Sequence, residues 1–275
     1  MPSVDAVLRE ARAQLAPGEA ELLLAHVLGC ARSWLYAHGD AALVPDMAAR
    51  FAALVERRRD GTPVAYLTGH RGFRDFDLEV SPATLIPRPE TELLVELALA
   101  RLPIGRELRV ADLGTGSGAI ALSLARARPR ASVLATDASQ AALAVARANA
   151  ARLRIDNVAF ARGHWWQAVD DAARFDLVAS NPPYIAEGDP HLCEGDLRHE
   201  PHDALVSGPD GLDAIREIAG GAARRLAPGG WLLVEHGWEQ GAAVRGLFAD
   251  AGLADVSTTQ DLEGRDRVTA GCLRR

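Results

Sequence analysis

"LRVADLGTGSGAIALSLARARP", residues 108–129, runs an alternating apolar stretch into Gly114, Gly116 and Gly118 and then into an apolar stretch at helical spacing. A period near two that gives way to one near 3.6 marks a strand, a tight turn and a helix. Outward from there the same alternation repeats. "ASVLATD" (131–137), "NVAFARG" (157–163), "FDLVASN" (175–181) and "WLLVEHG" (231–237) read as strands, with helical runs at 139–153, 211–226 and 239–252. Strand and helix in turn imply a doubly wound α/β sheet. The last two runs, "VSTTQDL" (256–262) and "DRVTAGCL" (266–273), are separated only by "EGR". That length suits a hairpin and forbids a helical crossover, so the last strand is expected to be antiparallel. The count is seven strands in a Rossmann-like arrangement.

Upstream the texture differs. Residues 1–63 are expected to form a small helical bundle: "SVDAVLREARAQL" with Ser3 as its cap, "PGEAELLLAHVLG" with Pro17 in the first turn, and "PDMAARFAALVERRRDG" ending at Gly61. Arg57, Arg58 and Arg59 then form a solvated helix end, where cations suit the dipole. Residues 64–86 carry shorter runs with Gly and Pro punctuation and read as a hairpin-bearing connector. The domain 87–275 opens with a helix that has Pro89 at its start and Glu90 and Glu92 in its first turn. Arg88, between two prolines, is expected to tie the connector to this domain through Glu90 or Glu92.

At 275 residues and 48% hydrophobic, the chain can bury one large core or two modest ones. Its 30 basic side chains are all Arg, yet the net charge is -7, which argues against broad attachment to duplex nucleic acid or to an anionic membrane. Cys30, Cys193 and Cys272 lie far apart, which suggests neither a disulfide framework nor a cysteine-rich metal site and suits a reducing cytosol. The amphipathic N-terminus carries acids and lacks the apolar core of a secretory signal, and no stretch reaches membrane-spanning length. His191, Cys193, His199 and His202 cluster in sequence, but Pro201 breaks any shared helical face, and no metal site is expected.

The glycine turn lets the backbone approach a ligand while the following helix offers free N–H groups. By itself it also fits a plain β–α turn, or the relaxed nicotinamide pattern at Gly114, Gly116 and Ala119. Asp137 ends the next strand about 20 residues on, where a carboxylate can accept both hydroxyls of an adenosine ribose. The competing role for Asp137 is a helix cap, which Ser139 can fill instead. "NPPY", residues 181–184, decides the cofactor. A planar N–H2 group attacks poorly because its lone pair is delocalised, and two acceptors gripping its N–H bonds can aim that lone pair at an electrophilic methyl. Asn181 offers its side-chain oxygen and Pro182 its backbone oxygen. Pro182 and Pro183 stiffen the turn, and Tyr184 presents a ring face for stacking. These features point to S-adenosylmethionine, leaving as S-adenosylhomocysteine.

With "AYLTGHRGF", "LIPRPETELLV", "DLGTGSGAIAL", "SNPPYI" and "LLVEHGWEQG", the chain resembles the PrmC/HemK-type release-factor glutamine methyltransferases along nearly its whole length. "NPPY" is shared with adenine and cytosine amino-methyltransferases of DNA; "IPRPETE" together with "NPPY" is more specific. The resemblance implies a seven-stranded S-adenosylmethionine-dependent methyltransferase domain behind a helical domain that docks the substrate protein. It implies methylation of the glutamine in the Gly-Gly-Gln loop of peptide chain release factors to N5-methylglutamine, a step of translation termination. It further implies cofactor contacts by Gly114, Thr115, Gly116, Ser117, Gly118, Asp137, Trp165 and Asn181, and substrate contacts by Asn181, Pro182, Pro183 and Tyr184. The chain departs from the family at His164, where an acid is usual before the tryptophan. Trp165 is read either as a cover for adenine or as a core aromatic beside Trp166. The enzyme is expected to be a cytoplasmic monomer that needs neither nucleic acid nor membrane. A ribosomal-protein glutamine methyltransferase and a DNA or RNA amino-methyltransferase stay open as alternatives.

Overall fold

The computed structural model describes residues 1–274. Packing divides the chain into two units: Met1–His70 with Cys193–His199, and Arg71–Leu192 with Glu200 onward.

In the first unit α1 (Val4–Arg12) starts at Ser3, whose hydroxyl accepts from Ala6 N at 3.2 Å, as a Ser cap should. α2 (Glu19–Leu28) begins behind Gly18, so Pro17 lies ahead of the helix and not in its first turn. The cause is local: Gly18 adopts φ 85, a left-handed conformation that a helical turn does not contain. α3 (Arg32–Ala37) is a six-residue helix that periodicity did not mark, being under two turns long. α4 (Pro45–Arg59) has Pro at its first position, and α5 (Val64–Thr68) follows. Leu8, Leu23, Leu24, Leu35, Phe51 and Val55 form the shared core. Arg58 is not part of a solvated end. It is half-buried, donates to Glu19 at 3.0 Å, and pairs with Asp196 at 2.6 Å, which anchors the excursion Cys193–His199 to this unit. Arg57 and Arg59 are exposed.

The second unit opens with a hairpin, β1 (His70–Phe73) and β2 (Phe76–Glu79), that contributes Phe73, Phe76 and Leu78 to the larger core. Then come α6 (Thr91–Arg101), β3 (Arg109–Leu113), α7 (Ala119–Ala127), β4 (Ser132–Asp137), α8 (Gln140–Leu153), β5 (Val158–Arg162) and β6 (Phe175–Ser180). The chain closes with α9 (Asp213–Arg225), β7 (Leu226–Glu235), α10 (Gly241–Asp250), β8 (Ala254–Gln260) and β9 (Asp266–Cys272). The strands form one sheet in the order β5-β4-β3-β6-β7-β9-β8. β5, β4, β3, β6 and β7 are parallel, and β9 inserts between β7 and β8 antiparallel to both, as a link too short for a helical crossover required; in the structure it spans residues 261–265.

This order places the site. From β3 the chain winds outward to β4 and β5, then returns to start β6 on the other side of β3, so a crevice opens between the ends of β3 and β6. Register aligns those ends: Leu113 is opposite both Thr136 and Ser180, and Ser180 is opposite Val234. The Ser180 hydroxyl locks the central pair by donating to Leu113 O at 2.7 Å. Asp137, Gly114, Asn181 and Glu235 therefore each stand one residue past the same row.

Candidate active site

A cavity of about 1000 Å³ opens over that row. Its wall includes Gly114, Thr115, Gly116, Ser117, Asp137, Trp165, Asn181 and Pro183. Gly118, Pro182 and Tyr184 are placed otherwise. Gly118 caps α7 and faces Leu122 and Ala146, Pro182 is buried, and the Tyr184 hydroxyl points to Glu235.

The glycine turn is held from both sides. Gly114 N and Thr115 N both donate to Thr136 O, at 2.9 and 2.8 Å. Gly114 needs its φ of +75, and a Cβ there would stand 3.1 Å from the Trp165 ring, so the missing side chain makes room for the aromatic. Beneath the turn Asp112 is fully buried and accepts from the Thr115 hydroxyl at 2.6 Å and from Ala121 N at 3.1 Å. Burial pushes its carboxyl up to about 7, with those two bonds opposing and Asp137 adding to the rise.

Asp137 accepts from Gly116 N at 2.9 Å and from Ser139 N at 2.8 Å, one bond on each oxygen. Ser139 caps α8, its hydroxyl accepting from Ala142 N at 3.1 Å, so the helix-cap role belongs to Ser139. Burial raises the Asp137 pKa while the two backbone bonds pull against it. A carboxylate has about four acceptor positions. Two are taken, and a vicinal diol at the cavity wall can use the others, which is the fit a ribose requires.

Trp165 lines the cavity and also packs against the core that holds Leu113 and Ile215. It holds φ 43, a left-handed backbone that a bulky residue adopts only when its surroundings impose it. Trp166 is a separate anchor whose ring N–H donates to Ile218 O at 3.0 Å. His164 meets Trp165 edge-on and has Nδ1 3.3 Å from Glu217 Oε1. Glu217, from α9, thus puts a carboxylate on this wall although position 164 is not acidic.

On the far side Asn181 donates from Nδ2 to Thr91 Oγ1 at 3.1 Å. Its other amide atom, Oδ1, is buried without a hydrogen-bond partner among the described residues. Leaving an acceptor in that state costs about 1–3 kcal/mol, so the fold holds a deficit where a donor can enter. Tyr184 is fixed at both ends: its hydroxyl lies 3.5 Å from Glu235 Oε1, and its carbonyl accepts from Gln240 at 3.0 Å. Burial first, then the Glu235 charge, keep its phenol protonated well above the ordinary range. A Cβ on Gly211 would collide with Tyr184 O, so that glycine permits the close approach. Glu235 itself is pushed up to about 7 by burial, against Thr91 and Arg267, which favour its charge.

Two functional candidates carried no local signal: Thr91 and Glu235. Arg88 pairs with Glu200 and not with Glu90 or Glu92, and the second oxygen of Glu200 accepts from Ile86 N at 3.0 Å. Glu200 is 114 residues from Ile86 in sequence, and the turn between two prolines can only hold Arg88 out, not choose its partner.

Residues 4–69 match the PrmC N-terminal domain and residues 89–196 the methyltransferase small domain. The release factor glutamine methyltransferase of Xylella fastidiosa is 58% identical over 98% of both chains. That of Escherichia coli is 48% identical over 96% of both chains. Among solved structures, a methyltransferase from Pyrococcus furiosus superposes with a TM-score of 0.56 at 16% identity, covering 82% of this chain and 98% of its own.

Proposed function

The chain belongs to the release factor glutamine methyltransferase family, and we propose that it methylates the side-chain nitrogen of the glutamine in the Gly-Gly-Gln motif of peptide chain release factors, in the cytoplasm. The observation that carries the assignment of residues is the unpaired Asn181 Oδ1 at the wall of a cavity that also presents Asp137 and the glycine turn. Bound there, S-adenosylmethionine supplies an electrophilic methyl group and departs as S-adenosylhomocysteine.

Asp137 would accept the ribose hydroxyls, the turn 114–117 would admit the ligand to the backbone, and Trp165 would cover a flat face. Asn181 Oδ1 and Pro182 O accept the two N–H bonds of the glutamine amide. Held so, the nitrogen would have its lone pair withdrawn from conjugation and directed at the methyl group that the cofactor would supply. Positive charge grows on nitrogen in that step, and the two oxygens stabilise it where it grows. The proton leaves afterwards, from a cationic nitrogen, so no side chain here has to act as a general base. Pro183 restricts Pro182, Pro182 restricts Asn181, and Tyr184 bounds the amide plane, so the acceptors need little rearrangement. Residues 1–63 and the connector 64–86 dock the release factor, and 87–275 carry the chemistry.

Mass spectrometry of a full-length release factor, incubated with the protein and S-adenosylmethionine, is expected to show one added methyl on the Gly-Gly-Gln glutamine. Methylation of a ribosomal protein or of DNA, with the release factor untouched, would reject this assignment.

A further inference from the structure

The row of strand ends gives the cofactor a direction. In the order β5-β4-β3-β6, Asp137 ends β4 and lies between Asn181, beyond β6, and the loop 163–165, beyond β5. S-adenosylmethionine carries its ribose in the middle, with the sulfonium on one side and adenine on the other. With the ribose on Asp137 and the methyl group near Asn181, the base has to extend over the end of β5. There Gly163 N donates to the Asp137 carbonyl at 3.0 Å, and Gly163, His164 and Trp165 line the cavity.

Trp165 offers a ring face, which any base can use. What marks adenine is the exocyclic N–H2 donor at its edge, and reading it takes an acceptor. Arg162 only donates, and spends Nε on Ala138 O at 3.1 Å. Asp213 is held by Arg216 at 2.8 Å and stands against Gly208, in the segment that follows β6. Glu217 remains. Its Oε1 lies 3.3 Å from His164 Nδ1, and His164 in turn meets the Trp165 ring edge-on, so the carboxylate sits beside the ring that would cover the base. A carboxylate only accepts, so the His164 proton belongs on Nδ1, which leaves Nε2 as a rival acceptor. The charged group forms the stronger bond with an N–H2.

Glu217 is brought to this wall by Trp166. The Trp166 ring N–H donates to Glu217 O at 3.2 Å and to Ile218 O at 3.0 Å, which pins this turn of α9 to the loop after β5. A Cβ on Gly221 would stand 2.2 Å from that ring nitrogen, so the glycine lets the indole dock on the helix. The two adjacent tryptophans thus do different things: one lines the cavity and the other carries an acid to its edge. We propose that Glu217 is the specificity residue that reads the adenine amino group, so that the wall tells adenine from a base with a carbonyl in that place. This rests on the cofactor assignment made above and not on the identity of the methylated protein.

The test is calorimetry on the full chain with S-adenosylhomocysteine and with its inosine counterpart, in which a carbonyl oxygen replaces the N–H2 group. The unmodified protein is expected to bind the adenine form roughly 10-fold more tightly, a modest ratio because Glu217 is half exposed. Glu217→Ala should bring the two affinities within about 3-fold of each other, mainly by weakening the adenine form. Glu217→Gln should do the same by strengthening the inosine form, since an amide can turn its own N–H2 towards the carbonyl. A ratio compares two ligands on one variant, so a general loss of stability cancels. Asp137→Ala should weaken both forms and keep the ratio. The proposal is overturned if the unmodified protein does not discriminate, if both Glu217 variants keep the full ratio, or if His164→Ala abolishes it while the Glu217 variants do not. Failure of either ligand to bind at all would instead bring down the cofactor assignment and this inference with it. Discrimination lost in the Glu217 variants of a protein that leaves release factors unmethylated would uphold the inference and reject only the substrate.

Discussion

The loop after β3 and the loop after β6 leave the sheet side by side, yet they are built from opposite materials. The first is Gly-rich, takes left-handed backbone at Gly114, Gly116 and Gly118, and has its polar groups absorbed by Thr136, Asp112 and Asp137. The second is proline-stiffened and leaves an oxygen of Asn181 unpaired. A loop that must fit closely around a ligand benefits from backbone freedom spent once, on folding. A loop that must aim an acceptor at a reacting nitrogen benefits from having no freedom to begin with. Each also sits over a buried carboxyl, Asp112 or Glu235, that burial raises to about 7.

If this division is right, damage to the two loops should separate by kinetic constant. The largest effect is expected for Asn181→Ala, which removes the unpaired acceptor. Its kcat should fall roughly 100-fold, with affinity for S-adenosylmethionine changed far less, as measured by single-turnover kinetics beside calorimetry. Next comes Asp137→Ala, which should weaken cofactor binding by roughly 10-fold or more and recover much of its turnover when the cofactor is saturating. Equal losses in both constants for both variants would erase the distinction between the loops. The smallest effect is expected for Pro183→Ala, since the substitution restores backbone freedom worth about 0.4–1 kcal/mol. It should lower kcat only a few-fold and leave cofactor binding alone. A larger loss in binding than in kcat would show that the second loop also shapes the cofactor site.

What could be read from sequence was what short-range physics decides. Ser3 and Ser139 cap helices because their hydroxyls meet N–H groups three residues on. Pro45 starts α4 because its missing N–H costs nothing there, and the short link around "EGR" forces β9 to reverse. Asn181 was visible because Asn-Pro-Pro-Tyr after a buried strand has few structural uses. Less visible were roles created by register or by long-range pairing. Thr91 reads as an ordinary helix residue and Glu235 as the polar end of a strand, and only the pairing of Ser180 with Val234 brings Glu235 beside Asn181. Arg58 looked like one of three equivalent cations, but Glu19 and Asp196, 39 and 138 residues away, select it from its neighbours. No local pattern encodes such partners. The start of β7 at Leu226, ahead of the expected Trp231, has the same origin, since Leu226 finds Phe175 on β6 across an irregularity in the ladder.

The row Thr136, Leu113, Ser180 and Val234 also bears on how this molecule can vary. Neighbouring strands lie about 4.8 Å apart, so the sheet acts as a fixed ruler along which Asp137, Gly114, Asn181 and Glu235 are spaced. Crossovers between strands can gain or lose residues without disturbing that spacing, because they start and finish at the same marks. Deleting one residue inside β6 would instead send Asn181 to the opposite face of the sheet. Chain length is therefore negotiable in the connections and fixed in the strands, and the chemistry is protected by the part of the fold that touches no substrate.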